Sequence, residues 1–151
     1  VEGDAGALAA GERLAARLGM TPVRIPAGAK AAYHAGATIV ANYTVALMGM
    51  AVRVAASAGV PADLAGMIYL PLLHGAAVNL DRLAPQDALT GAIRRGDAGT
   101  VAAHLAALAP GDRRLYAVVG LEALALSRQA GLAEGAAAEL ERLLTDAATG
   151  R

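Results

Sequence analysis

The sequence contains no cysteine, no tryptophan and no phenylalanine. Without cysteine there can be no disulfides, no thiolate metal sites and no cysteine nucleophile. The aromatic complement is four tyrosines, too few to expect stacking platforms for bases or sugars. An excess of charge of one sign is also missing, since 13 Lys and Arg face 13 Asp and Glu. Nucleic-acid binders and proteins held on acidic membranes need a basic surplus, so neither partner is expected. Serine occurs at Ser57 and Ser127 alone, neither in a nucleophile elbow. His34, His74 and His104 lie 40 and 30 residues apart with no second ligand at helical spacing, so no metal site is expected. There is no G-x-G-x-x-G and no P-loop, hence no cradle for a dinucleotide or a nucleotide phosphate within these residues.

What is present is apolar and helix-favouring. Hydrophobic residues make up 56% of 151, which excludes a disordered chain and is enough to bury a core. Alanine and leucine outweigh the β-branched residues, so the expected class is mainly α. Val1 is not an initiator, and Val1-Glu2-Gly3-Asp4 has neither the basic start nor the apolar run of a signal peptide. The chain reads as a piece of a longer, cytoplasmic protein. Ala31 to Val52 is a run of 22 residues without a formal charge, long enough to span a bilayer. His34, Thr38, Asn42, Thr44 and many Ala and Gly weaken it as a membrane segment, so a buried core helix is expected instead.

Residues 4–19 pattern as an amphipathic helix capped by Asp4 and stopped by Gly19. Thr21-Pro22-Val23-Arg24-Ile25-Pro26 is β-branched and bracketed by prolines, which predicts a single edge strand. Helix and strand together, residues 1–27, read as the closing αβ unit of a preceding domain. Residues 28–151 read as an all-α bundle around one long central helix, 29–58. Further helices are predicted over 62–83 (with Pro71 inside), 97–109 (capped by Asp97), 112–130 (capped by Asp112) and 134–147. Residues 84–96 are the least regular interior stretch.

Two places carry polar chemistry. At about 100° per residue, His34, Thr38 and Asn42 stand roughly 40°, 80° and 120° from Lys30 around a straight helix. An ammonium, an imidazole, a hydroxyl and an amide on one broad face could bind and protonate a substrate carbonyl. The bland reading makes Lys30 a solvated helix start and His34 and Asn42 satisfied core groups. The second place is Leu89-Thr90-Gly91-Ala92-Ile93-Arg94-Arg95-Gly96-Asp97, where glycines and arginines before a helix could hold an anion. Asp97 at the cap opposes this, because its carboxylate already occupies the positive helix end.

Three stretches together resemble a known family. They are Lys30-Ala-Ala-Tyr-His-Ala-Gly-Ala with Asn42-Tyr43; Leu72-Leu73 through Asn79-Leu80; and Ala88-Leu-Thr-Gly-Ala-Ile-Arg-Arg-Gly-Asp97 with Thr100-Val101 and His104-Leu105. The chain resembles the helical C-terminal domain, catalogued as domain of unknown function 2520, that follows a Rossmann-like domain in NAD(P)-dependent oxidoreductases. The family pattern is K-x-x-Y-H-x-A, then N, then L-T-G-P-I-x-R-G-D. Ala92 stands where proline is usual and Gly36 where alanine is usual. The wider superfamily includes ketopantoate reductases and 6-phosphogluconate dehydrogenase-like enzymes. Ketopantoate reductases place Lys and Asn four apart on the equivalent helix, where this chain has Lys30 and His34.

The resemblance implies an αβ remnant of a Rossmann-like domain at 1–27 and an all-α substrate-binding and dimerisation domain at 28–151. It implies NADP or NAD bound mainly by an upstream domain, a small-molecule substrate such as a 2-oxo acid, and a homodimer. His34 and Lys30 would carry proton transfer or carbonyl polarisation, with Asn42, Thr90 and Arg95 positioning substrate. The competing expectation is a helical oligomerisation or scaffold module with no chemistry.

Overall fold

The computed structural model describes residues 3–150, and every regular element among them is helical. In chain order these are α1 (Ala5–Arg17), α2 (Lys30–Thr38), a π turn (Ile39–Tyr43), α3 (Thr44–Ser57), α4 (Ala62–Leu80), α5 (Pro85–Ala88), α6 (Ala98–Ala107), α7 (Pro110–Gln129) and α8 (Glu134–Thr149). The chain divides into two compact units, up to Gly49 and from Met50 onward.

In the first unit, Asp4 caps α1 by accepting a 2.8 Å hydrogen bond from the Ala7 amide. Gly19 follows the helix in the left-handed region, φ +67°, which only glycine adopts without strain. The predicted edge strand does not form: Thr21–Pro26 has no regular structure, and no strand exists among the described residues. Two proline rings fix φ and remove backbone N–H donors, which disfavours a strand. Arg24 instead returns to α1, its Nε donating to Glu12 Oε1 at 2.7 Å. That bond holds the Glu12 carboxyl below its ordinary range and raises the guanidinium.

The long helix is present, running without interruption from Lys30 to Ser57 through the π turn. The expectation that it is buried as a core helix is not met within this chain. Neither α2 nor the π turn has a buried residue, and Val40 and Val45 are 75% and 71% exposed. By length and composition this helix could cross a membrane. Hydropathy records the preference of a side chain for leaving water, and does not say which body covers it.

The core of the second unit is built by α6, α7 and α8. Val101 and Leu105 on α6, Ala117 and Leu124 on α7, and Leu140 and Leu144 on α8 form one buried cluster, with Ile93 and Leu132 packed against it. These residues recur at three, four or seven along each helix, the spacing that keeps one face inward. Asp97 caps α6 with both oxygens, accepting from the Thr100 amide at 2.9 Å and the Thr100 hydroxyl at 2.6 Å. Asp112 does not cap α7, because the helix starts two residues earlier with Pro110 in its first turn. Proline has no backbone N–H to satisfy and its fixed φ suits that position. Asp112 instead accepts from Arg53 Nη2 at 2.9 Å. The α7–α8 connection turns at Gly131, φ +85°, and Arg128 braces it by pairing with Glu134 and Glu141.

Helix α4 is different. It is apolar over most of its circumference, continues through Pro71, and buries Ala65 alone. Met67, Ile68 and Leu72 stand 57–68% exposed. On α7, Leu115, Val118 and Val119 point away from the core and are 41–47% exposed. The stretch before α6 is irregular apart from the single turn of α5, as its composition predicts.

Candidate functional site

The first candidate site is an open depression of about 740 Å³ on the long helix, lined by Lys30, Ala31, His34, Ala35, Thr38, Ile39 and Tyr43. Lys30, His34 and Thr38 follow at intervals of four along α2, as the straight-helix arithmetic predicts. The next member of the face is not Asn42 but Tyr43. An α-helix returns to the same side after 3.6 residues, so Tyr43, five beyond Thr38, would stand roughly 140° away from it. A π turn closes its hydrogen bonds to the fifth residue and so absorbs one extra position. Ile39–Tyr43 is that turn, and it carries Tyr43 back over Thr38. The Thr44 hydroxyl donates to the Val40 carbonyl at 2.6 Å, a local bond to a carbonyl within the segment where the backbone changes register. Asn42 is exposed on the turn and outside the lining.

The lining is mostly hydrocarbon, with Ala31, Ala35 and Ile39 between the polar groups. Lys30 is its one charged member, and no carboxylate lines it. Lys30 and His34 are exposed and have no side-chain hydrogen bond or ion pair. Of the bland reading, Lys30 as a solvated helix start matches the structure, while His34 and Asn42 are exposed rather than buried core groups.

The second candidate site lies in the other unit, in the connection before α6. Thr90, Gly91, Arg94 and Arg95 line an open depression of about 670 Å³ with Asp87, Leu89 and the turn Gly131–Ala133. Gly91 and Gly96 take φ of +94° and +73°. A Cβ at Gly96 would stand 2.9 Å from that of Ala136, so glycine is required there for conformation and for space. The two arginines divide their work. Arg94, part-buried, donates to the Ala130 carbonyl at 3.2 Å and ties the connection to the end of α7. Arg95 is exposed and keeps its guanidinium free of side-chain bonds. Thr90 and Arg95 thus share one depression, while Lys30 and His34 share the other.

A third polar cluster follows directly. His104 Nδ1 and the Tyr116 hydroxyl are 2.9 Å apart, with the rings edge to face. Burial pushes the Tyr116 phenol above its ordinary value of 10.0. The Thr100 hydroxyl, then the Thr100 amide, hold Asp97 below 3.8, with smaller contributions from the charges of Arg95 and His104. No group of three or more His, Asp or Glu that could hold a metal exists among the described residues.

Residues 1–123 match the model of a family described as a domain of unknown function, DUF2520. The chain belongs to this family. No match was found among curated proteins or among solved structures. The DUF2520 match contains the whole Lys30–Tyr43 face and the Thr90–Asp97 connection. It stops within α7, so α8, which closes the core, lies beyond it.

Sequence reasoning missed Tyr43 and the anchoring role of Arg94. For Tyr43 a signal existed in the five-residue interval from Thr38, which a straight helix makes meaningless and a π turn makes regular. For Arg94 there was none, since its carbonyl partner is 36 residues away.

Proposed function

We propose that this chain is the substrate-facing, dimer-forming helical part of an NAD(P)-dependent reductase that acts on a 2-oxo acid. The observation that carries the reading is the Lys30–His34 pair in an acid-free depression of one helix. A lysine ammonium with no carboxylate beside it attracts a carboxylate, and a neighbouring imidazole can donate a proton to a carbonyl becoming an alkoxide. In the other depression Arg95, whose guanidinium makes no side-chain hydrogen bond or ion pair, suits pairing with an anionic group and Thr90 suits hydrogen bonding to it. The hydride would come from NADPH or NADH held by an upstream Rossmann-like domain, and the resemblance noted above is the support for that domain. The residues described here hold no cofactor cradle, so their part is binding, orientation and proton supply. The protein would act in the cytoplasm.

The dimer rests on α4 and α7. Eleven large apolar side chains from Leu64 to Leu83 and at Leu115, Val118 and Val119 are 41–68% exposed. Those on α4 are spread around the helix, and exposed apolar side chains in this number mark an interaction face. A second copy of α4 and α7 would cover them.

The test uses the complete polypeptide. Oxidation of NADPH and NADH is followed with a panel of 2-oxo acids, and His34→Ala is expected to collapse turnover while cofactor binding is kept. Unchanged turnover in that variant removes His34 from the reaction. A complete polypeptide that binds neither cofactor leaves the second reading, a helical assembly module. The exposed faces of α4 and α7 favour that reading equally.

A further inference from the structure

Resting on the reading of the Lys30–His34 depression as a substrate site, we infer that its ligand is an elongated organic acid. Its carboxylate lies at Lys30 and His34, and a second, uncharged oxygen function roughly 10 Å further along is hydrogen-bonded by Thr38 and Tyr43.

The length follows from the helix. The Lys30–His34 pair and the Thr38–Tyr43 pair are centred eight to nine residues apart, which is about 13 Å at 1.5 Å per residue. A hydrogen-bond length of about 2.8 Å at each end, partly directed along the helix, leaves roughly 10 Å for the ligand itself. The ligand's two ends follow from the chemistry of the wall. Lys30 is the sole charge in the lining, so one anionic group is matched and a second is not. Thr38 and Tyr43 offer neutral hydroxyls, which suit a hydroxyl or carbonyl oxygen. Ala31, Ala35 and Ile39 lie between these ends and present hydrocarbon to a run of methylenes. The π turn makes the far end specific, because in an unbroken α-helix Tyr43 would stand on another side and the wall would end at Thr38. Tyr43 is therefore a specificity residue for the distal oxygen, separate from proton transfer at Lys30 and His34.

The assay needs no cofactor. With four tyrosines in the sequence, ring-labelled [13C]tyrosine gives four ring environments, each assigned by a single Tyr→Phe substitution. The protein is titrated with 4-hydroxybutanoate, 8-hydroxyoctanoate and octanoate. The Tyr43 signal is expected to move saturably with 8-hydroxyoctanoate. That acid should bind about tenfold more tightly than octanoate or the short hydroxy acid, the scale of one well-made hydrogen bond. Tyr43→Phe should abolish the preference for the hydroxyl, read by calorimetry, with the helical circular dichroism unchanged. Lys30→Ala should weaken all three acids alike. No saturable movement with any acid, equal binding of octanoate and its hydroxy form, or a preference lost in Asn42→Ala but kept in Tyr43→Phe would each overturn the inference. The reductase reading is judged separately by NAD(P)H oxidation. Selective binding without turnover sinks that reading and leaves this one, and turnover without selectivity does the reverse.

Discussion

Gly120 sits in the middle of α7 and is buried against α8. A Cβ added there would lie 2.8 Å from one terminal methyl of Leu144 and 3.4 Å from the other, and 3.4 Å from Ile93. In an open helix, Gly→Ala is worth about 1 kcal/mol of backbone entropy. Here the added methyl overlaps a leucine that is fully buried and has no solvent to swing into. Overpacking of this kind costs about 1–3 kcal/mol, so Gly120→Ala should be destabilising by roughly 1 kcal/mol net. The decisive measurement is the same substitution with the obstacle removed. Leu144→Ala alone should cost about 2–5 kcal/mol. In that background the Gly120 methyl enters the vacated space, and Gly120→Ala should become stabilising by up to about 1 kcal/mol. Urea unfolding followed by circular dichroism, which the absence of tryptophan makes the natural probe, gives all four corners of the cycle. The coupling should be about 2 kcal/mol with a change of sign. If Gly120→Ala costs the same in both backgrounds, the α7–α8 packing described here is not what makes glycine necessary.

Three further predictions follow from particular contacts. Asp97 has a folded-state pKa depressed by Thr100, so its contribution is present above its unfolded value near 3.8 and is lost as pH falls through the lower folded one. Asp97→Asn should flatten part of the acid limb of stability below about pH 4 in acid-unfolding curves; an unchanged limb would refute the cap's role. Tyr116 is raised, so its neutral phenol contributes fully below pH 10 and that contribution disappears as pH rises through the higher folded value. Tyr116→Phe should therefore lose less stability than the parent on the alkaline side of pH 10, and equal losses in thermal melts would be the contrary result. Leu72→Asp and Val118→Asp place charge on the exposed faces of α4 and α7 and should yield a monomer by sedimentation velocity without loss of helix. A parent protein that is already monomeric at tens of micromolar would remove the dimer.

Much of the helical order was legible because it is written locally. Asp4 and Asp97 precede apolar-periodic runs and cap them with their own side chains, and the sequence needs no tertiary context to announce this. Asp112 looked the same and is not a cap, because Pro110 starts the helix first. The edge strand failed for the opposite reason. Strand formation depends on a neighbour that pattern alone cannot supply, and Thr21–Pro26 closes on Glu12 instead. Lys30, His34 and Thr38 were found by angular arithmetic that holds for a regular helix. Asn42 was included and Tyr43 omitted because the same arithmetic contains no term for a π turn.

The long helix and α4 show where hydropathy stops being informative. The long helix reads as core from its composition and α4 is also strongly apolar, yet the core of the second unit belongs to α6, α7 and α8. A helix apolar on every side cannot satisfy itself against two neighbours; it needs cover all round. In α4 that cover is missing on every side but one, where Ala65 is buried. Pattern alone does not tell the cases apart: amphipathic α1 buries no residue, while α6, as apolar as α4, buries Ala98, Val101 and Leu105. What separates α6 from α4 is cover, which α6 finds against α7 and α8 and which the exposed apolar side chains of α4 do not find among the described residues.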